Sequence, residues 1–149
     1  MIKRDEIGSK DNSSENKCNY KRVLPGDIPY NSMRMWQGAS GRSDFEGIVS
    51  PAYTVLVPEK GISSYFFAYY FKTEEMIHQF KKYSQGLTSD TWNLKYPLIS
   101  EIEINFPILE EQEKISDFLS VIDKKINRIS MEIEDINEFK KGLLQQMFV

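Results

Sequence analysis

The amino-acid sequence predicts an α+β protein in which a small mixed domain is followed by one long C-terminal coiled-coil helix. Two observations predict this class. Short β-branched runs and short runs with helical spacing follow one another between residues 20 and 109. From residue 110 onwards, apolar residues recur at alternating steps of three and four, which is the spacing of a coiled coil.

Residues 1–19 are hydrophilic and carry almost no large apolar side chain. Such a segment cannot bury enough apolar surface to order itself, so we expect a flexible or irregular lead-in. The single cysteine, Cys18, excludes an internal disulfide and fits a reducing compartment. The sequence also carries no signal-peptide pattern and no apolar run of membrane-spanning length. We therefore expect a cytoplasmic protein without a membrane partner.

Residues 20–109 alternate between strand-like and helix-like runs. Residues 48–57 are rich in β-branched side chains and predict a strand interrupted at Pro51. Two helices are predicted at residues 64–70 and 73–83. Apolar residues then alternate with polar ones, as in a half-buried strand, at Ile99, Ile102, Ile104 and Phe106. Glycines and prolines between these runs predict turns, among them residues 25–27 and 38–41.

Residues 110–149 carry the strongest periodic signal. The apolar positions form one stripe, here called the seam: Ile115, Leu119, Ile122, Ile126, Ile129, Ile133, Ile136, Leu143 and Met147. Only Lys140 interrupts it. Burying one aliphatic side chain is worth roughly 1.5–3 kcal/mol, so the seam needs a packing partner. A helix from a second copy or from another protein is predicted, and a helix folded back onto its own domain remains the alternative.

The sequence contains no motif that indicates a catalytic site. The sequence has no Pro-Pro pair for a methyltransferase motif, and residues 38–41 favour a turn over a cofactor loop because no long helical pattern follows. The carboxylate and lysine at Glu138 and Lys140 lie on the heptad helix, where charges form a solvated face. His78 and Cys18 have no second ligand at metal spacing. We predict no catalytic residue, no cofactor and no metal.

The net charge of −3 argues weakly against DNA binding, which needs clustered Lys and Arg. Between residues 18 and 47 four basic residues face three acidic ones. This excess of one positive charge is compatible with a protein that binds DNA together with a larger partner. It is equally compatible with a protein that does not bind DNA. Charge alone does not decide between them.

Two parts of the chain, each given below as two ranges, resemble the specificity subunits of type I restriction–modification systems. Residues 26–41 (GDIPYNSMRMWQGASG) and 46–53 (EGIVSPAY) are similar to the central part of a target recognition domain in that family. Residues 107–115 (PILEEQEKI) and 140–148 (KKGLLQQMF) are similar to the start and end of the spacer helix that follows. The order and spacing of the segments match the family across about residues 20–149.

The chain departs from the family pattern in two respects. A typical subunit has two recognition domains and two spacer helices, whereas this chain has one of each. The recognition domain is also short at its N-terminus, where the first strands of the family domain would lie. The resemblance therefore implies a half-length subunit, with an inactive fragment or a silent cassette as alternatives.

The resemblance implies a division of labour along the chain. Residues 20–109 would be the recognition domain for double-stranded DNA, and residues 110–149 the spacer and dimerisation helix. A half-length chain would rebuild the family arrangement as an antiparallel homodimer and read two identical inverted half-sites. Methyltransferase subunits carrying S-adenosylmethionine, and through them restriction subunits, would be its partners. The chain itself would catalyse nothing.

Candidate DNA contacts follow from side-chain chemistry. Arg34, Gln37 and Arg42 suit base edges. Phosphate contacts are expected from Lys21, Arg22, Lys81 and Lys82. A second polar loop offers Thr88, Ser89 and Lys95. Trp36 is included without a decision between contact and core, and Tyr53 is expected in the core.

A protein-interaction module, in which the coiled coil is the functional part, is the competing interpretation. It accounts for the seam and for the acidic balance. It does not account for the two family-like segments. Sequence-selective binding to DNA separates the two.

Overall fold

The computed structural model describes residues 16–148. The chain divides into two compact units, Met1–Glu113 and Lys114–Val149, here called the first and second unit. Most of the predicted lead-in falls on residues 1–15, outside the described residues. At residues 16–20 the chain makes a turn in which the Tyr20 amide donates to the Lys17 carbonyl at 3.0 Å.

Four short strands form two separate antiparallel pairs in the first unit. Strand β1 (Lys21–Val23) pairs with β3 (Gly47–Val49), and β2 (Ile28–Asn31) pairs with β4 (Tyr53–Leu56). The predicted interruption at Pro51 is confirmed, because residues 50–52 turn between β3 and β4. The sequence did not predict β1 and β2, which are three and four residues long. Strands this short leave no readable alternation.

Two helices follow where the sequence predicts them. Helix α1 is Ser64–Tyr70 and α2 is Glu74–Tyr83. The side chains of Ser63 and Thr73 cap the two helices. Each hydroxyl oxygen accepts a hydrogen bond from the backbone amide three residues further along the chain. Predicted residue 73 is thus the N-cap and not the first helical residue. Acidic residues in the first turn of α2 and lysines in its last turn stabilise the helix through favourable interactions with its dipole.

The strand predicted from Ile99 to Phe106 is wrong. A short helix, α3 (Tyr96–Ile99), precedes an extended stretch that pairs with no strand in the described part of the chain. Ile102 and Ile104 are half-buried and pack against the core, while Glu103 between them is exposed. The alternation of apolar residues therefore reports burial on one side of an extended segment and not strand pairing.

The core of the first unit lies between the β2–β4 pair and the helices. Its buried members are Ile28, Tyr30, Met35, Phe66, Phe67, Phe71, Met76, Phe80 and Leu94. Tyr30 is fully buried, and its hydroxyl donates to the Leu94 carbonyl at 3.1 Å. Burial raises the pKa of Tyr30, so this hydroxyl stays protonated and able to donate. Tyr53, predicted in the core, is half-buried.

Helix α4 (Leu109–Met147) is 39 residues long and begins in the first unit. Gln112, part of the PILEEQEKI segment, is fully buried there. Its side-chain oxygen accepts from the Ser63 amide at 2.9 Å, and its side-chain nitrogen donates to the Pro107 carbonyl at 2.8 Å. A buried amide with its donor and acceptor both used fixes the start of the helix against the preceding loops.

The second unit consists of the remainder of α4. The predicted long helix and the α+β class are confirmed. Within residues 114–147 the seam residues lie on one stripe, and most are exposed. Among residues 16–148 no helix is long and apolar enough to cross a membrane.

Candidate nucleic-acid interface

A concavity in the first unit brings together two of the lysines predicted to contact DNA. Its volume is about 330 Å³, at the lower end of the range for ligand pockets. Lys21 and Lys95 both line it. The other lining residues mix polar and apolar side chains: Ser32, Met33, Pro51, Ala52, Thr54 and Asn93.

Backbone contacts hold the two lysines from different parts of the chain. Lys21 lies on β1, and its ammonium donates to the Tyr53 carbonyl at 2.5 Å. Lys95 follows Leu94, whose amide donates to the Ser32 carbonyl at 2.8 Å. Neither lysine has an ion-pair partner within residues 16–148. Two unneutralised cations at one concavity are a suitable arrangement for phosphate.

Asn93 adds an unused hydrogen-bond acceptor to the concavity. Its side-chain oxygen Oδ1 is buried and has no partner in the described part of the protein. The backbone of Asn93 is fixed by two hydrogen bonds with Gln85, of 2.8 and 3.1 Å. Sequence reasoning missed this residue, because an asparagine in a polar loop is ordinary. A buried amide oxygen without a donor costs stability, so Asn93 is a polar group at the concavity that its own fold leaves unsatisfied in this part of the protein.

The loop after β2 carries three further predicted contacts. Arg34 and Gln37 are exposed, and they approach each other at 3.5 Å between Nη1 and Oε1. Trp36 is half-buried: its indole nitrogen donates to the Met33 carbonyl at 3.1 Å, and its ring meets Trp92 edge-on at 5.3 Å. Trp36 therefore supports the loop, and Arg34 and Gln37 are the two predicted contacts that remain exposed at its surface.

Lys72, which sequence reasoning missed, anchors this loop from the turn after α1. Its ammonium donates to the carbonyls of Gly38 and Ser40, the latter at 2.7 Å. Burial lowers the pKa of Lys72. Gly38 has a φ of 75°, and a Cβ there would lie 2.8 Å from the Cδ1 atom of Ile77. The predicted turn at residues 38–41 is thus fixed by one lysine and by one glycine whose left-handed conformation would strain any other residue.

Two predicted arginines already have partners. The exposed Arg22 forms an ion pair with Glu46 at 2.7 Å. Arg42 donates to Asp44 and, at 3.0 Å, to the Ser64 hydroxyl, and its guanidinium lies 3.8 Å above the Tyr65 ring. The Arg42 side chain is only 17% exposed. Its present role is to hold the loop before β3, so a DNA contact by Arg42 would have to replace these interactions.

The remaining candidates lie outside the concavity lining. Lys81 and Lys82 are exposed in the last turn of α2. Thr88 and Ser89 are exposed at a 3-10 turn, Ser89–Thr91, which Thr88 and Thr91 close by a reciprocal capping box. This turn lies in the same connection as Trp92, Asn93 and Lys95, between α2 and α3. The structure thus joins Lys21 and Lys95 at one concavity and leaves the other candidates elsewhere on the first unit, on a strand, a helix and loops.

The family model of the type I restriction modification DNA specificity domain matches residues 7–138. Three relatives from Methanocaldococcus jannaschii are similar. The type I restriction enzyme MjaIX specificity subunit is 32% identical over 94 residues, covering 63% of this chain and 21% of the relative. The MjaVIII specificity subunit is 27% identical over 118 residues, covering 76% and 27%. The putative MjaX specificity subunit is 25% identical over 135 residues, covering 85% and 31%.

The chain therefore spans about a fifth to a third of the length of these relatives. The family match itself covers most of the chain and includes both the concavity and the greater part of α4. On this match, the chain belongs to the family of type I restriction modification DNA specificity domains.

Proposed function

We propose that this chain is a DNA-recognition subunit of a type I restriction–modification complex and acts in the cytoplasm without catalysing a reaction. Residues 20–109 form its target recognition domain, and residues 110–149 form its spacer and dimerisation helix. The observation that carries the proposal is the concavity with two lysines that have no ion-pair partner within residues 16–148, beside the loop that presents Arg34 and Gln37.

The side chains divide into two roles on this proposal. Lys21 and Lys95 contact phosphates, which orients the domain without selecting a sequence. Arg34 and Gln37 contact base edges, since arginine pairs with guanine and amides pair with adenine in the major groove. Phosphate contacts extend along the adjoining surface through Lys81, Lys82, Thr88 and Ser89. A third group acts chiefly by holding loops: Arg22, Arg42 and Trp36.

Selection from a pool of randomised DNA duplexes tests the reading of sequence. The full chain, mixed with a cognate methyltransferase subunit, should retain duplexes that share a bipartite motif. Arg34→Ala and Gln37→Ala should each change the preferred base at one position of every half-site, by about 1–3 kcal/mol of discrimination. Unchanged preference in both variants would remove these residues from the interface.

The salt dependence of binding tests the phosphate contacts. Lys21→Ala and Lys95→Ala should weaken binding to all sequences alike and reduce the slope of log K against log salt by about 1 each. Lys60→Ala is the matched control, because Lys60 is an exposed lysine that does not line the concavity. Equal slopes for Lys21→Ala, Lys95→Ala and Lys60→Ala would exclude the concavity as a phosphate site.

The exposed seam supports a homodimer whose two recognition domains read identical inverted half-sites. Methyltransferase subunits bind this dimer, and restriction subunits join through them. Size-exclusion chromatography with light scattering, on the chain alone and with the methyltransferase subunit, measures both steps. A dimer that takes up methyltransferase supports the proposal, whereas a monomer that ignores it leaves an inactive fragment.

The exposed seam by itself also fits a coiled-coil interaction module that never meets DNA. Its eight isoleucine and leucine residues and one methionine need an apolar partner of any kind. A chain that dimerises but retains no duplex from the randomised pool, with and without methyltransferase, would favour this function.

A further inference from the structure

A second seven-residue repeat runs beside the seam on α4. Each of its members directly precedes Leu119, Ile126, Ile133 or Lys140 in the chain. We call this repeat the flanking row, and its members are Phe118, Lys125, Glu132 and Phe139. All four are exposed, the two phenylalanines by 67% and 68%. Residues at this position border the seam of a coiled coil and face the partner helix, where they set partner choice and orientation.

When the flanking row is set beside a reversed copy of itself, each charged residue meets one of opposite charge and each phenylalanine meets a phenylalanine. Read along the chain it is Phe, Lys, Glu, Phe, and read backwards it is Phe, Glu, Lys, Phe. A second copy running antiparallel therefore brings Lys125 opposite Glu132 and Phe118 opposite Phe139. Two-fold symmetry repeats each pair, so one dimer contains two ion pairs and two aromatic pairs.

The seam from Leu119 to Ile136 closes in the same register. In an antiparallel coil this alignment of the flanking row sets the facing seam pairs as Ile126 with Ile129, Ile122 with Ile133, and Leu119 with Ile136. Lys140, which interrupts the seam, then faces Ile115 at the end of the paired stretch. There its ammonium can extend along the helix surface to water.

Other alignments bring like charges together. Shifting the antiparallel pair by one seven-residue repeat sets Glu132 against Glu132 of the second copy, or Lys125 against Lys125 for a shift the other way. A parallel, in-register pair sets Lys140 against Lys140 inside the seam. Like charges that face each other across an interface select against these arrangements.

We infer that the second unit pairs with a second copy of this chain, antiparallel, in the register that joins Lys125 to Glu132 of the second copy. The inference rests on the proposed homodimer, takes its antiparallel orientation from the family resemblance, and adds only the register. Glu132 already accepts from Arg128 of its own helix at 3.1 Å, with both side chains largely exposed. A carboxylate has two oxygens, so it can accept from Arg128 and from Lys125 of the second copy together.

Charge reversal in the full chain tests this register. Lys125→Glu alone places two carboxylates opposite each other at both ion-pair positions of the dimer, and Glu132→Lys alone places two ammonium groups there. Sedimentation equilibrium at low salt should give a dimer dissociation constant raised roughly tenfold for each, an effect that high salt reduces. An equimolar mixture of the two variants should form a heterodimer with near-native affinity, because each facing pair again joins opposite charges.

Matched controls separate register from net charge. Lys124→Glu and Glu138→Lys make the same charge changes on the side of the helix away from the seam, and they should leave the dissociation constant within about threefold of native. The mixture also controls for the lost Arg128 contact, which Glu132→Lys removes whether or not dimers form. Helix content by circular dichroism should stay unchanged in all variants.

The outcomes are distinct. Single reversals that weaken the dimer and a mixture that restores it support the register. The register would be overturned if charge reversals at 125 and 132 changed the dissociation constant no more than those at 124 and 138. It would also be overturned if the mixture did not recover the native dissociation constant. Neither outcome would contradict the homodimer. A native chain that stays monomeric at high concentration would overturn the proposed homodimer itself.

Discussion

The two units use large apolar residues in opposite ways. In the first unit Phe80 and Leu94 are fully buried, whereas in the second unit Ile126 and Ile133 are each 54% exposed. The first unit uses its apolar side chains to fold one chain. The second unit leaves them exposed along one helix, where they serve association on the proposed function. One sequence therefore carries both a folding core and an unsatisfied interface.

Polar side chains differ in the same way. In the first unit Tyr30, Lys72 and Gln112 make hydrogen bonds that tie distant segments together. The second unit shows an ion pair within one helix, Arg128 to Glu132, with both groups in solvent. Such an exposed pair contributes little to stability. Disrupting polar contacts should therefore affect the first unit more.

The largest effect is expected from Phe80→Ala. Truncating this fully buried ring should lower the free energy of unfolding of the first unit by about 3–5 kcal/mol, since it leaves a cavity in the core. Urea unfolding followed by aromatic circular dichroism measures the change. Phe118→Ala, at an exposed ring of the second unit, is the control and should leave this transition in place. Equal losses would erase the distinction between the units.

Ile126→Ala should affect association and not the folding of the first unit. Each dimer loses two aliphatic contacts from the seam, so its dissociation constant should rise about tenfold to a hundredfold by sedimentation equilibrium. Met131→Ala, an exposed residue outside the seam, serves as control. A lower urea midpoint for the first unit, with dimerisation unchanged, would place Ile126 in folding and contradict the comparison.

Lys72→Met should have a moderate and local effect. It removes the ammonium that holds the carbonyls of Gly38 and Ser40, at a cost of about 1–2 kcal/mol. Hydrogen exchange should accelerate at residues 38–41 more than in α2. Lys82→Met is the control, since Lys82 is exposed at the end of α2 and its ammonium lies over the neighbouring Tyr83 ring. Exchange that speeds up equally throughout the first unit would contradict a local role.

The smallest change in stability is expected from Asn93→Leu. The Asn93 oxygen is buried, without a partner among residues 16–148, so replacing the amide by an apolar group of similar size should leave the free energy of unfolding within about 1 kcal/mol of native, or raise it. A large loss of stability would instead assign Asn93 a role in folding.

The sequence was informative where a pattern extends over several turns. The seam needs only its spacing to be recognised, and helical spacing located the start of α1 correctly and that of α2 within one residue. The sequence was uninformative for β1 and β2, which are too short to alternate. The apolar alternation from Ile99 to Phe106 misled because burial on one side of an extended chain has the same period as a strand.

The candidate site was predictable in residue type but not in arrangement. Lys21 and Lys95 were chosen for their chemistry, yet they are far apart in sequence, and no pattern indicates that they line one concavity. Arg42 looked like a base contact, and only the folded chain places its guanidinium over Tyr65. Lys72 and Asn93 were missed because their roles depend on backbone carbonyls and burial, which no side-chain pattern encodes.

The anchoring of the loop after β2 bears on how specificity can diverge. Lys72 and Gly38 fix the path of residues 38–40 through backbone carbonyls and a left-handed glycine, so the exposed side chains at 34 and 37 are not needed to hold it. Substitutions at those two positions can accumulate while the scaffold beneath them stays constant. If Arg34 and Gln37 read bases as proposed, stability and target choice rest on different residues, and a single substitution can change the DNA target without unfolding the domain.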